Sequence, residues 1–441
     1  MPSPETPLAP PPSTAGLERW LQHAERLHAR PIELGLERVR DVAQRLDIAL
    51  DCPTFVVAGT NGKGSTCAML ESILRAGGYR TGLYTSPHLV RFNERARIDG
   101  REVDDRDLVE SLAAVENARA ATNLTYFEFT TLAILHRFAR AALDAAILEI
   151  GLGGRLDAVN IVDADCAIVT SIDLDHVELL GPTREAIALE KAHVYRGGRP
   201  AICSDPMAPS TLVDYAHRIG ADLRRSGTEF TFSATPTHWN FHGRAVRRAG
   251  LPYPALRGSN QLVNAAGVLA ALEALAPRLP LGQQDVREGL LRVELAARFQ
   301  VLPGRPSVVL DVAHNPHAVA VLARDLDRQG YFPRTRAVFG MLRDKDIAGS
   351  VARLKGRIDR WCVGPTGGPR GAPAEEVAAI IRSVDGDAAD IAIHPTIEAA
   401  WGAALEASGP DDRIVVFGSF LTVGEVMRTP VMQARLAPRS A

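Results

Sequence analysis

The segment Val56–Thr66, Val-Val-Ala-Gly-Thr-Asn-Gly-Lys-Gly-Ser-Thr, leaves this chain few ways to fold. It is a short apolar strand, a glycine turn and the start of a helix that continues through Cys67, Ala68, Met69, Leu70, Ile73 and Leu74. Glycines let several backbone N–H groups point at one spot, the helix N-terminus adds positive potential there, and Lys63 adds a full charge. Such a nest suits phosphate. The strict Walker spacing is absent, because Val57 stands where its first glycine belongs, so the loop is a more compact variant. A plain tight turn would also explain the glycines; Lys63 and Ser65 together favour the phosphate reading.

Apolar strand patterns alternate with helical periods through most of the chain, which predicts α/β architecture with parallel sheets and crossover helices. In the first part the strands are expected at Thr54–Ala58, Thr81–Thr85, Ala145–Ile150, Ala167–Ile172 and Pro200–Cys203, with helices at Lys63–Ala76, Thr130–Ala142 and Arg184–Tyr195. Between Gly227 and Gly258, Phe230, Phe232, Trp239 and Phe241 suggest short antiparallel strands, and a helix starts near Asn260. Alternation resumes after Arg298 with strands at Val308–Val312, Ala337–Met341, Asp359–Val363, Ile391–His394 and Ile414–Gly418. This pattern predicts a P-loop-type parallel-sheet domain over 17–296 and a smaller Rossmann-like domain over 297–441, divided near Pro303-Gly304-Arg305-Pro306. The proline-rich start, 1–16, reads as a disordered tail with neither the basic head nor the apolar core of a signal peptide.

A length of 441 residues is comfortable for two domains. With 46% apolar and 23% charged residues and a net charge of -2, the chain reads as soluble and lacks the basic footprint of a nucleic-acid binder. No apolar run is long enough to predict a membrane span. The five cysteines form no CxxC pair, and several lie in apolar runs, which predicts buried reduced thiols in a cytoplasmic protein.

Further chemistry gathers at predicted strand ends, where parallel α/β sheets bind ligands. Ala145–Ile150 delivers Glu149, a carboxylate costly to bury unless paired or metal-bound; a salt bridge to a neighbouring helix is the alternative. The next strand ends Thr170-Ser171-Ile172-Asp173-Leu174-Asp175-His176, giving an oxygen-rich turn and an imidazole that is either a ligand or a surface loop residue. Between them lies the glycine-rich loop Gly151–Asp157. Ser86 follows the strand at Thr81–Thr85 with a hydroxyl able to reach a metal. Lys191, on a helix, reads by itself as a solvated lysine. In the second half, Asp311-Val312-Ala313-His314-Asn315-Pro316 repeats the strand-end pattern, with Asn315 readable as a helix N-cap.

Taken in order, these segments resemble the folylpolyglutamate synthase/dihydrofolate synthase family of ATP-dependent amide ligases, within the Mur ligase superfamily. The segments are Gly59–Ser65, Ser86–Leu89 with Phe92–Arg95, Tyr126–Phe129, Leu148–Asp157, Ser171–His176, Glu190-Lys191, Arg298–Gln300, Asp311–Pro316 and, near the start, Ile32–Val39. The likeness implies a Mur ligase central-domain-like first domain, and it is closest to the bifunctional bacterial enzymes. It implies that Gly59, Thr60, Asn61, Gly62, Lys63, Gly64, Ser65 and Thr66 hold the ATP phosphates. It assigns Ser86 and Glu149 to one Mg²⁺, and His176 and Lys191 to a second metal position. The matching lysine is carbamylated in the family: an ammonium has no lone pair to offer Mg²⁺, whereas a carbamate has anionic oxygens. Asn264, Arg298, Asp311 and His314 match nucleotide-contacting positions. Ile32 and Glu33, Thr125, Tyr126, Phe127 and Glu128, and Leu156, Asp157 and Ala158 match a pterin-binding wall. The chain departs from the family at His193, Tyr195, Ala296-Ala297 and Asn260-Gln261, which bears on the adenine contacts and the hinge.

The expected reaction joins L-glutamate to dihydropteroate or to reduced folates through an acyl phosphate, in a monomer. Two domains closing through a hinge near Arg298 would keep water out. Three other activities share parts of this pattern. Polyglutamylation alone is the same chemistry with a narrower acceptor. A cell-wall Mur ligase would carry a longer region before the phosphate loop. A GTPase-like switch would need an Asn-Lys-x-Asp motif, and no Asn-Lys pair occurs.

Overall fold

A computed structural model describes residues 9–30 and 32–437. The expected tail lies outside the described residues over 1–8; within 9–16, Pro11 is buried and the Ala15 N–H donates to the Pro12 carbonyl at 2.8 Å. The chain divides into two compact units. One takes the residues up to 86, 92–253 and 263–293; the other takes 87–91, 254–262 and 294 onward.

The first unit is built on an eight-stranded sheet. Its strands are β1 (Thr54–Ala58), β2 (Thr81–Tyr84), β3 (Ala96–Ile98), β4 (Arg101–Glu102), β5 (Ala145–Glu149), β6 (Cys166–Val169), β7 (Pro200–Cys203) and β8 (Asp222–Arg225), in the order β4-β3-β2-β5-β1-β6-β7-β8. From β2 to β8 every pairing is parallel, and β3 and β4 add an antiparallel edge. The two central strands are buried along their whole length, as expected where helices cover both faces. Each fully buried Val, Ile or Leu there contributes roughly 1.5–3 kcal/mol. The β3–β4 hairpin turns on Asp99-Gly100, both at positive φ (51° and 72°), a dipeptide signal that was present in the sequence.

Helices α1 (Leu17–Arg26), α2 (Glu37–Arg45), α3 (Lys63–Ala76), α4 (Asp105–Arg119), α5 (Tyr126–Ala139), α6 (Val177–Leu180) and α7 (Arg184–Ala192) belong to this unit. The helix expected at Thr130–Ala142 is α5, which starts four residues earlier. Thr125 and Glu128 form a reciprocal capping box that satisfies the first backbone donors. Strand β6 ends at Val169, short of the expected Ile172, because the hydroxyls of Thr170 and Ser171 turn to the phosphate loop. Strands β9 (Thr231–Ala234), β10 (Trp239–His242) and β11 (Arg247–Leu251) make the antiparallel sheet expected in this region.

The second unit carries a six-stranded sheet of β12 (Gln300–Leu302), β13 (Ser307–Leu310), β14 (Thr335–Phe339), β15 (Arg360–Val363), β16 (Ile391–Ile393) and β17 (Arg413–Phe417), in the order β12-β13-β17-β14-β15-β16. All pairs are parallel except β12 with β13. All five cysteines are buried and free. Among the described residues no helix is long and apolar enough to cross a membrane.

Candidate active site

The loop between β1 and α3 is pinned from the neighbouring strand end. The Thr170 hydroxyl donates to the Asn61 carbonyl at 2.7 Å, Ser171 Oγ donates to the same carbonyl at 3.0 Å, and the Asn61 N–H donates back to Ser171 Oγ at 3.2 Å. The Thr60 N–H donates to the Ser171 carbonyl at 2.7 Å, and the Thr60 hydroxyl to the Asp173 carbonyl at 3.1 Å. Two glycines are obligatory. A Cβ on Gly59, at φ 148°, would fall 1.8 Å from Thr170 Oγ1; one on Gly62, at φ 90°, would fall 2.6 Å from Asn264 Oδ1. Asn264 therefore stands directly against the loop. Gly64, Ser65 and Thr66 open α3 and are buried, and Thr66 Oγ1 has no hydrogen-bond partner among the described residues.

Two lysines meet on one carbonyl. Lys63 Nζ donates to Gly59 O at 3.1 Å and to Thr60 O at 3.3 Å, and Lys191 Nζ donates to Gly59 O at 3.0 Å. The expectation of a solvated Lys191 is wrong: the residue is 4% exposed at the end of α7. Gly154 lets α7 pack that close, since a Cβ there would lie 2.6 Å from the Glu190 carbonyl. Burial, and next the charge of Lys63, push the Lys191 ammonium down to about 7, with Asp175 and Asp157 acting in the opposite sense. At neutral pH much of Lys191 is therefore a neutral amine with a free electron pair.

Glu149 ends β5 beside Val57 of β1, 5% exposed, and its Oε2 accepts the Ser86 N–H at 3.1 Å. The structure thus brings Ser86, Glu149 and the phosphate loop to one sheet edge. His176 caps α6 at φ 52°, with its backbone N–H donating to Asp175 Oδ1 at 2.9 Å and Nε2 at 3.9 Å from the same oxygen. Among the described residues no three His, Cys, Asp or Glu side chains form a metal cage. That donor set fits Mg²⁺, which is held by one or two carboxylates together with substrate phosphates. The fit rests on the buried Glu149 carboxylate at the sheet edge and the unpartnered Thr66 hydroxyl at the start of α3.

The pterin-wall candidates also come together in part. Phe127 of α5 abuts the Gly151–Asp157 loop, where a Cβ on Gly151 would lie 2.6 Å from Phe127 Cζ. Asp157 is buried, and its carboxylate accepts the N–H groups of Leu152 and Val159 at 2.8 and 2.9 Å; desolvation nevertheless raises it to about 6. Leu156 is half-buried and Ala158 is buried. Glu128 is tied to Glu33 through Arg38, and Tyr126 lies under the Arg95 guanidinium at 5.9 Å. Ile32 is 44% exposed.

Arg298, Asp311 and His314 belong to the second unit. The Asp311 carboxylate accepts the N–H groups of Phe299 (2.8 Å) and Ala313 (2.7 Å), and desolvation raises it to about 6. The Arg298 guanidinium lies 5.0 Å from the centre of the Phe420 ring, and His314 packs on the same ring at 6.2 Å. Ala297 and Phe299 flank Arg298 at φ 56° and 46°, a strained backbone of the kind stored at functional sites. Asn315 is the N-cap of the helix Pro316–Arg328, accepting the Ala318 N–H at 2.9 Å. Sequence reasoning gave no role to Phe420. It placed Arg38 within the matching segment Ile32–Val39 and Thr170 and Ser171 in the oxygen-rich turn after an apolar strand, without the bridge that Arg38 makes or the pinning of the loop by the two hydroxyls.

Two family models match the chain: the Mur ligase middle domain over residues 57–202 and the Mur ligase glutamate ligase domain over 297–420. The chain is 46% identical to the dihydrofolate synthase/folylpolyglutamate synthase of Escherichia coli, over 96% of this chain and 97% of that protein. Its fold is similar to that of E. coli FolC in complex with DHPP and ADP, with a TM-score of 0.91, 45% identity, and 97% and 100% of the two chains covered. It is also similar to a bifunctional folylpolyglutamate synthase/dihydrofolate synthase with Mn, AMPPNP and L-glutamate bound, with a TM-score of 0.87, 45% identity, and 95% and 99% covered.

Proposed function

The chain belongs to the dihydrofolate synthase/folylpolyglutamate synthase family of Mur ligases, and from that premise we propose that it uses ATP to join L-glutamate to dihydropteroate and to reduced folates. The observation that carries the reading is the meeting of Lys63 and Lys191 on the Gly59 carbonyl, at the sheet edge where Glu149 ends β5. Relatives of this fold bind ADP, DHPP, AMPPNP, manganese and L-glutamate, the ligands such a reaction needs.

The acceptor carboxylate attacks the γ-phosphorus of ATP, the bond to the β-phosphate oxygen breaks, and an acyl phosphate and ADP result. The amine of glutamate then attacks the acyl carbon, phosphate leaves with the C–O electron pair, and the amine proton is lost. A free carboxylate is a poor acyl donor, so ATP supplies the leaving group. The N–H groups of the Gly59–Thr66 loop and the start of α3 hold the phosphates, and Lys63, released from the Gly59 and Thr60 carbonyls, offsets charge on the transferring group. Ser86 and Glu149 would hold one Mg²⁺, and His176 with Lys191 a second. When bound, these ions neutralise phosphate charge. Lys191 is suited to its part because its neutral amine can take up CO₂ and present carbamate oxygens. Phe127, with Tyr126 and the Leu156–Ala158 segment, lines the pterin end. In the second unit, the same reading assigns Arg298, Asp311 and His314 to nucleotide contact.

Five free buried thiols suit a reducing compartment, and we place the enzyme in the cytoplasm as a monomer. Phosphate release with dihydropteroate, glutamate and ATP, each omitted in turn, tests the reaction; release that is indifferent to glutamate or to the pteroate would overturn it. Repeating the assay with tetrahydrofolate as acceptor reads the second activity.

A further inference from the structure

Arg38, near the start of α2, joins two segments that are far apart in the sequence. Its Nη1 lies 2.6 Å from Glu33 Oε1, and its Nη2 donates to the Glu33 carbonyl at 3.1 Å and to Glu128 Oε1 at 2.8 Å. Glu128 is 3% exposed and spends its other oxygen on the Thr125 N–H at 2.8 Å, within the capping box that starts α5. Glu33 is also approached by His28 at 3.3 Å and by Arg30 at 3.9 Å. Ile32 and Leu34 flank Glu33 and are 44% and 38% exposed, so both aliphatic side chains are open to a ligand.

One guanidinium therefore ties the Glu33 segment to the start of α5, a helix that its own buried face holds in place. The planar fork spans two carboxylates and a carbonyl from two separate nitrogens in a fixed geometry, whereas an ammonium would have to reach all three from a single atom. The segment around Ile32–Leu34 has no regular secondary structure of its own, so its place against the N-terminus of α5 depends on this bridge. We propose that Arg38 is a positioning residue for the pteroate end of the substrate, holding Ile32 and Leu34 in register with Tyr126 and Phe127 so that an apolar ring system meets a formed wall. The proposal rests on the reading of Ile32–Glu33 and Thr125–Glu128 as that wall.

The test is steady-state kinetics of Arg38→Met and Arg38→Lys, with circular dichroism as the check on folding. A wall that must be ordered by each arriving substrate binds it more weakly, so KM for dihydropteroate should rise about tenfold in Arg38→Met. KM for ATP should stay within about twofold, because the phosphate loop draws on none of these bonds. Arg38→Lys keeps the charge and should recover only part of the loss; if Arg38→Met fails to fold, this variant carries the test with an expected rise of about threefold. An unchanged KM for dihydropteroate in a folded variant, or an equal rise for ATP, overturns the proposal. Phe127→Ala separates the two readings. If it raises KM for dihydropteroate while Arg38 variants do not, the clamp fails and the wall stands; if neither raises it, the wall reading fails as well.

Discussion

Replacing Lys191 by Met should make the folded protein more stable while destroying the enzyme. Lys191 is 4% exposed, and its ammonium is pushed from an ordinary value of 10.5 down to about 7, chiefly by burial. That gap of about 3.5 units, at 1.36 kcal/mol each, means that the fold bears about 4–5 kcal/mol for this group at pH 7. Met keeps the buried stem and removes the charge, at the loss of one hydrogen bond to Gly59 O worth about 1 kcal/mol. The net gain is about 3 kcal/mol, and at about 2 °C per kcal/mol for a unit of this size Tm should rise by about 6 °C. The sign of the pH dependence follows from linkage. The folded pKa lies below the unfolded one, so between about pH 7 and 10.5 the unfolded chain binds more protons and wild-type stability rises with pH. The advantage of Met is therefore full below pH 7 and fades as pH approaches 10.5. Scanning calorimetry from pH 6 to 10.5 reads both effects, in CO₂-depleted buffer without nucleotide or divalent ions so that the lysine is not carbamylated. A variant less stable than wild type at pH 7, or a gain that is the same at pH 10 as at pH 7, would refute the argument.

Lys63→Ala should lower ATP turnover by at least about 100-fold with an unchanged circular dichroism spectrum, since one fixed charge on the phosphates is lost and the loop pins at Thr170 and Ser171 remain. Turnover near the wild-type value would remove the loop from the mechanism. Glu149→Gln keeps an acceptor for the Ser86 N–H but loses the charge, so the Mg²⁺ dependence of activity should move to at least about tenfold higher concentration. A titration that overlays the wild type would contradict a ligand role for Glu149.

Most of the strands and the start of α3 were legible because they depend on local pattern. β1 and α3 have the bounds expected from an apolar run, a glycine turn and a helical period. The misplaced start of α5 had a local cause too, since Thr125 and Glu128 stand three apart as a capping box requires. The short polar strands β4 and β8 carry no such pattern; they exist because a neighbouring strand offers its free edge.

Sequence by itself determined the chemistry on offer: a glycine-lysine turn after an apolar strand, a carboxylate and hydroxyls at other strand ends, and a matching order of motifs. What it could not supply was the environment of each group. Lys191 reads as solvated until the packing of α7 on Gly154 removes its water and sets its ammonium on the carbonyl that Lys63 also uses. Arg38 reads as one arginine among many until folding brings Glu128, 90 residues away, to 2.8 Å. Local propensity acts over a few residues, whereas desolvation and charge pairing depend on which distant segments exclude water from the same point.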